Sequence, residues 1–165
     1  MVRTAEVVTP KHPDKICDRI SDAILDECLK QDPDTRAAIE TMGGHGIITV
    51  TGELTTKAFV DVPEVVKKVY GKDIGVQTNI VRQSPEIAQG VDTGGAGDQG
   101  IMIGYACNDN EEYVPQEYYL ARKLAQHIYE KYPFDGKTQV TMNGNSLRVV
   151  ASFCLLYTSP SPRDS

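Results

Sequence analysis

Two hydrophobic periods take turns along this chain, and their order restricts its fold more than any other feature. From Pro13 to about Lys30, Ile16, Ile20, Ala23, Ile24 and Cys28 recur at helical spacing behind a proline suited to a first turn. Asp14, Asp18 and Asp22 line another face of that helix, where like charges four residues apart repel mildly. Leu25 and Leu29 point toward the same acidic side, so it is partly covered. After the stop at Gln31-Asp32-Pro33-Asp34, the period changes. Arg36 to Thr41 and Gly46 to Leu54 read as strands, with Ile47, Thr49, Thr51 and Glu53 on one face and Gly43-Gly44-His45-Gly46 as the turn between them. Asp61 and Glu64 form a capping box for a second helix ending near Gly71, with Val62, Val65, Val66 and Val69 inward. Val76 to Arg82 is a further strand, and Gln83 to Gly100 a polar loop long enough to serve as a lid. Ile101 to Ala106 reads as a short buried strand, and Pro115 opens a third helix to about Tyr132 carrying Leu120, Leu124 and Ile128. Gly136 to Met142 and Leu147 to Ala151 make a hairpin about an Asn143-Gly144 turn of type I′. The order α-β-β-α-β-loop-β-α-β-β predicts an α+β fold with helices packed on mixed or antiparallel sheets.

With 165 residues, 40% of them hydrophobic, the chain can build an ordinary core. Its formal charge of −6 supplies no basic stripe, which argues against nucleic-acid binding by phosphate neutralisation. A polyanionic substrate remains open where cations are concentrated locally or a metal helps. There is no signal peptide and no apolar run long enough to span a bilayer, so no membrane partner is expected. Cys17, Cys28, Cys107 and Cys154 have neither CxxC nor His-paired spacing, which disfavours a zinc site and a disulfide framework. They read as reduced core thiols of a cytoplasmic protein.

The segment from about Cys154 through Leu155-Leu156-Tyr157-Thr158-Ser159-Pro160-Ser161-Pro162-Arg163-Asp164 has no period and ends in a Ser/Pro cluster. A disordered tail has this composition. The segment also resembles a translated adapter used in sequencing libraries, read through at the end of a contig. On that reading residues 152–165 are a non-native tail, 1–151 carry the fold, and the natural gene continues past Ala151.

The groups able to do chemistry sit near the predicted element ends. Gly95-Ala96-Gly97-Asp98-Gln99-Gly100-Ile101-Met102-Ile103-Gly104-Tyr105 holds an Asp-Gln pair in a loop pliable enough to approach a ligand, although glycine turns before strands are also ordinary structure. His12-Pro13-Asp14-Lys15 opens the first helix, where the dipole and free N–H groups favour phosphate. Asp14 could hold Mg²⁺ there, and His12 and Lys15 could neutralise phosphate oxygens; a plain helix start with an acid in its first turn looks the same. Glu40 and Glu53 are carboxylates at or near strand ends, where solvent-facing acids are common. Asp135-Gly136-Lys137 precedes a strand and has the form of a turn. His45 and His127 carry no partner pattern and read as bystanders.

These pieces coincide in order with one family. His12-Pro13-Asp14-Lys15-Ile16-Cys17-Asp18, Glu40-Thr41, Gly52-Glu53-Leu54-Thr55-Thr56, Gln83-Ser84-Pro85-Glu86-Ile87-Ala88-Gln89-Gly90-Val91, Gly95 to Tyr105 and Asp135-Gly136-Lys137-Thr138-Gln139-Val140 together resemble S-adenosylmethionine synthetase, also called methionine adenosyltransferase. The resemblance runs from residue 3 to about 151. Each motif is weak alone; six in order with nearly fixed spacing are specific.

The resemblance implies a three-unit α+β fold, truncated here, in which this chain contributes to more than one unit. It implies attack of the methionine sulfur on C5′ of ATP, with triphosphate leaving and then being hydrolysed to phosphate and pyrophosphate. His12 and Lys137 would face the departing oxygen and the triphosphate, and Asp135 would lie beside the nucleotide. Asp14 would bind Mg²⁺ and Glu40 K⁺, while Glu53, Gln83 and Asp98 would hold the methionine amino-acid end. Gln83-Ser84-Pro85-Glu86-Ile87-Ala88-Gln89-Gly90-Val91-Asp92-Thr93 would be the mobile gate. The full-length protein would be a homodimer or dimer of dimers with shared active sites. Three departures stand out: Pro10-Lys11 replace an acid and a glycine, the stretch between Asp92 and Gly95 is short, and the family's second signature, a glycine-rich loop ending in Phe-Ser-x-Lys-Asp, is missing. The chain alone is therefore expected to be inactive or insoluble. Two other readings stay open: a non-catalytic ATP- and methionine-binding fragment, and a Mg²⁺-dependent nucleotide phosphohydrolase using His12 and Asp14.

Overall fold

The computed structural model describes residues 1–96 and 99–154, with Ile87 described in its backbone alone. Among these residues the elements are β1 (Val2–Val8), α1 (Pro13–Leu29), β2 (Arg36–Gly44), β3 (Ile47–Thr55), α2 (Val62–Tyr70), β4 (Gly75–Val81), α3 (Pro85–Asp92), α4 (Gln116–Lys131), β5 (Gly136–Asn143) and β6 (Ser146–Phe153). The described residues separate into two compact units, one formed by residues 1–15 and 103–154, the other drawn from residues 16–102. The fold is α+β, as expected: helices on a mixed sheet in one unit and on an antiparallel sheet in the other.

In the unit of residues 16–102 the strand order is β2-β3-β4, with β2 and β3 antiparallel and β3 and β4 parallel. A parallel pair needs a crossover, and α2 supplies it. Ile20 and Ile24, one helical turn apart on α1, meet Ile48 and Val50, two residues apart on β3, and Val62 and Val66 of α2 close the cluster. Each such side chain contributes about 1.5–3 kcal/mol by leaving water. Helix α2 has the expected ends: the Asp61 side chain accepts from the Glu64 amide, and Gly71 takes the left-handed conformation.

The hairpin turns differ from the sequence reading. Gly44 pairs with Ile47, so His45 and Gly46 form the two-residue loop, both at positive φ (50° and 84°). That is the pattern of a type I′ turn. At the other hairpin Asn143 pairs with Ser146, leaving Gly144-Asn145 as the loop, and only Gly144 is at positive φ. The expected I′ turn at Asn143-Gly144 is instead a loop of II′ pattern, with glycine first.

In the other unit β5 lies between β1 and β6, antiparallel to both. Helix α4 packs on β1 and β5, and Ala121, Ala125, Thr138 and Val140 are buried. Strand β1 has no counterpart in the sequence reading, because its partner lies more than a hundred residues away. Strand β6 runs to Phe153, and the Cys154 amide donates to the Asp135 carbonyl, so regular pairing passes the boundary set at Ala151. The proposed tail beyond Cys154 lies outside the described residues.

Two further expectations are corrected. Ile101 to Ala106 is not a buried strand: no strand of the described residues pairs with it, and Ile101 and Met102 are 90% and 96% exposed. The polar stretch after β4 is not all loop, because Pro85–Asp92 is helical. Ser84-Pro85-Glu86 carries a helix start, with proline at the first position and an acid in the first turn. Among the described residues the cysteines form no disulfide, but only Cys28 is buried, and Cys154 is exposed. No helix of the described residues is long and apolar enough to cross a membrane.

Candidate functional site

The turn between β1 and α1 and the start of β5 meet at Thr9. Antiparallel pairing carries β1 as far as Val8 opposite Lys137, and the Thr9 amide continues it by donating to the Gly136 carbonyl at 2.9 Å. The Thr9 hydroxyl donates to the Phe134 carbonyl, also at 2.9 Å, and the Thr9 carbonyl accepts from the His12 amide at 3.0 Å. Three bonds from one buried residue therefore join the turn that presents His12 to the segment that presents Asp135 and Lys137. Gly136 is buried under the Phe153 ring, which a Cβ at this position would meet at 2.3 Å.

His12 is half-buried, and its Nδ1 accepts from the Asp14 amide at 3.2 Å. An amide is only a donor, so Nδ1 uses its lone pair and the neutral ring carries its proton on Nε2. That proton is the group His12 can offer to a ligand oxygen. The Asp14 carboxylate, 3.6 Å from Nδ1, is 76% exposed at the start of α1. Lys137 Nζ pairs with Glu6 Oε1 at 3.0 Å across the two strands. Asp135 Oδ1 is buried without a hydrogen-bond partner among the described residues. An anion meeting this surface would find an imidazole N–H, an ammonium and the open end of a helix.

In the other unit, Glu53 stands in β3 between Ala38 of β2 and Val81 of β4. Gln83 follows Val81 by two residues, so both lie at the carboxyl end of the parallel pair, the usual place for ligands in open sheets. Gln83 Oε1 is buried and unpartnered among the described residues. The far end of α3 returns to this end of the sheet, where Arg36 Nη1 and Asp92 Oδ1 lie 2.5 Å apart and Arg36 itself pairs with Thr55. Glu40 is exposed, opposite Thr51, two residues further along β2 than Ala38. Gly52 is obligatory between them. Its φ is 129°, and a Cβ would lie 2.0 Å from the Ala38 carbonyl oxygen. Asp98 lies outside the described residues. The gate sequence from Gln83 to Thr93 is largely α3.

Metals divide the candidates. Among the described residues no three His, Cys, Asp or Glu side chains form a metal cluster. Mg²⁺ is commonly held by one or two carboxylates plus substrate phosphates, and the exposed Asp14 fits that pattern. Glu40, the residue expected to take K⁺, stands on the separate β2-β3-β4 sheet.

The order of these segments along the chain matches a known pattern. A profile of the S-adenosylmethionine synthetase N-terminal domain matches residues 1–91, and one of the central domain of the same enzyme matches residues 93–152. The chain belongs to the S-adenosylmethionine synthetase family. An S-adenosylmethionine synthase of Clostridium tetani is 43% identical over 174 residues, covering 84% of this chain and 44% of that protein. One of Brachyspira hyodysenteriae is 40% identical over 185 residues, covering 90% of this chain and 47% of that protein. The chain thus spans less than half the length of these S-adenosylmethionine synthetase relatives.

Sequence reasoning missed Thr9 and Glu6. Neither falls in a motif, and both owe their position to β1, whose register is set by residues 137–143. The one local signal was weak alternation: Arg3, Ala5 and Val7 are half-buried while Val2, Thr4 and Glu6 are exposed.

Proposed function

We propose that this chain is the N-terminal and central part of a methionine adenosyltransferase, which joins L-methionine to the adenosyl group of ATP and releases triphosphate. The observation that carries this reading is the Thr9 junction, which brings the His12 turn within one hydrogen-bonded residue of the Asp135–Lys137 segment. A thioether sulfur is a nucleophile without deprotonation, so no general base is required. Catalysis rests on alignment of sulfur, C5′ and the leaving oxygen, and on stabilising the charge that grows on that oxygen. His12 Nε2–H donates to the leaving oxygen, and Lys137 exchanges Glu6 for a phosphate oxygen. Asp14 would hold Mg²⁺, which would supply further charge neutralisation on the triphosphate, and Asp135 would lie beside the nucleotide. Glu53 accepts from the methionine ammonium, Gln83 binds the same amino-acid end, and Asp98 completes that set. The segment 83–93 excludes water by closing over the substrates. Water then hydrolyses the triphosphate to phosphate and pyrophosphate while His12 and Lys137 still hold its oxygens. The assembled enzyme is proposed to be a cytoplasmic homo-oligomer with shared sites.

Calorimetry of the 165-residue chain with Mg²⁺-ATP, inorganic tripolyphosphate and methionine tests this, alongside an assay for S-adenosylmethionine. Binding of tripolyphosphate and methionine without turnover by the isolated chain is the expected result. Cleavage of ATP in the absence of methionine would replace this reading by a phosphohydrolase.

A further inference from the structure

We propose that Thr9 is the positioning residue of the triphosphate end of the site, fixing His12 relative to Lys137; this rests on the adenosyltransferase reading above. Thr9 is 1% exposed, and its amide, hydroxyl and carbonyl are all committed. The amide bond to Gly136 is what any residue ending this strand would make. The hydroxyl bond is not: the strand does not need it, and an apolar side chain would be the ordinary occupant of so buried a place. Its acceptor, the Phe134 carbonyl, precedes Asp135, while the amide's acceptor, the Gly136 carbonyl, precedes Lys137. The two bonds grip the chain on both sides of Asp135, and the third reaches forward to the His12 amide. With the hydroxyl removed, only the Thr9 amide bond ties the 9–12 turn to β5 beyond the last ladder pair, Val8 and Lys137, and the turn can pivot where the strand ends. His12 Nε2 then loses its fixed offset from Lys137 Nζ, and misplacements of about 1 Å are enough to cost large factors at a reacting centre.

Thr138 provides an internal control. It is fully buried in the same unit, and its hydroxyl donates to the Ala121 carbonyl of α4 at 2.7 Å and reaches the Val7 carbonyl of β1 at 3.4 Å, with no bond to the 9–12 turn or to the carbonyls flanking Asp135. Thr9→Val and Thr138→Val each delete one buried hydroxyl at nearly constant volume. Thr9→Ser restores the hydroxyl.

The experiment measures inorganic tripolyphosphate affinity of the 165-residue chain by calorimetry, well below the thermal midpoint of every variant, and records those midpoints separately. Thr9→Val is expected to weaken binding about tenfold, while Thr9→Ser stays within about twofold of the unaltered chain. Thr138→Val is expected to lower the midpoint and leave affinity within the same twofold margin. Should Thr9→Val give no folded protein, Thr9→Ala takes its place in the comparison. Equal affinities for Thr9→Val and the unaltered chain overturn the proposal, as does a loss in Thr138→Val matching that in Thr9→Val. Failure of the unaltered chain to bind tripolyphosphate would instead strike the functional reading, and this proposal with it.

Discussion

Lys137 Nζ on β5 lies 3.0 Å from Glu6 Oε1 on β1, an ion pair between strands that the chain joins only through 130 intervening residues. Both side chains are about half exposed, so the pair adds at most about 1 kcal/mol to stability. Its significance is that an ammonium is held on the strand that leads from the Thr9 junction. Replacing Lys137 by methionine is expected to weaken tripolyphosphate binding about tenfold, with a urea midpoint almost unchanged. Raising salt should erode binding by the unaltered chain more than by the variant, because the variant has lost a screened attraction. Equal salt dependence in the two proteins would remove Lys137 from the anion site.

Glu53 predicts a separable effect. Glu53→Gln keeps the size of the side chain and removes its charge, so methionine affinity should fall about tenfold. Tripolyphosphate affinity should be unchanged, since His12, Asp135 and Lys137 belong to the other compact unit. A parallel loss of both ligands would show that Glu53 acts through folding rather than through the methionine ammonium.

Gly52→Ala should be far more costly than a typical single-methyl change. The new Cβ meets the Ala38 carbonyl at 2.0 Å, a backbone atom that cannot rotate aside, and φ of 129° is itself strained for any L side chain. A loss of about 3 kcal/mol or more in urea unfolding is expected. By contrast Gly44→Ala, with nothing within 4 Å of its Cβ, should cost well under half of that.

Acid stability should depend on Asp32. This buried carboxylate accepts from the Lys57 amide at 2.7 Å, from the Asp34 amide at 3.2 Å and from the Thr56 hydroxyl at 3.3 Å. The Lys57 bond first, then the other two, hold its pKa below the ordinary carboxylate value despite its burial. A depressed folded pKa means that the stabilisation is fully present above the unfolded value, about 3.9, and disappears as pH falls through the folded one. Thermal midpoints should therefore drop between about pH 5 and pH 2 more steeply in the unaltered chain than in Asp32→Asn. Parallel curves for the two proteins would contradict this assignment.

What could be read from the sequence was local. Helices α1, α2 and α4 declared themselves through caps, prolines and 3.6-residue spacing, and the β2–β3 hairpin through its glycine turn. Strand β1 was invisible because its alternation is shallow and its partner, β5, lies at the other end of the chain. Ile101 to Ala106 misled for the opposite reason: an apolar run supplies the composition of a buried strand, but burial requires a partner that no window of neighbouring residues reveals. The site followed the same rule. His12, Asp14, Asp135 and Lys137 stood out as motif residues, while Thr9, which joins the His12 turn to the 134–136 segment, has no motif and is defined by hydrogen bonds spanning 125 residues and more.

The pairing of β1 with β5 also bears on the order of events during synthesis. Residues 16–102 form a continuous stretch that can close its own core as soon as β4 has left the ribosome. Strand β1, although made first, has no partner until residues 136–143 emerge, so it must wait unpaired through more than a hundred additions. His12 and Lys137 thus meet late: the unit that carries Glu53 and Gln83 is in place before the Thr9 junction exists. A ribosome stalled a few residues short of β5 would carry a folded middle and an unfinished beginning.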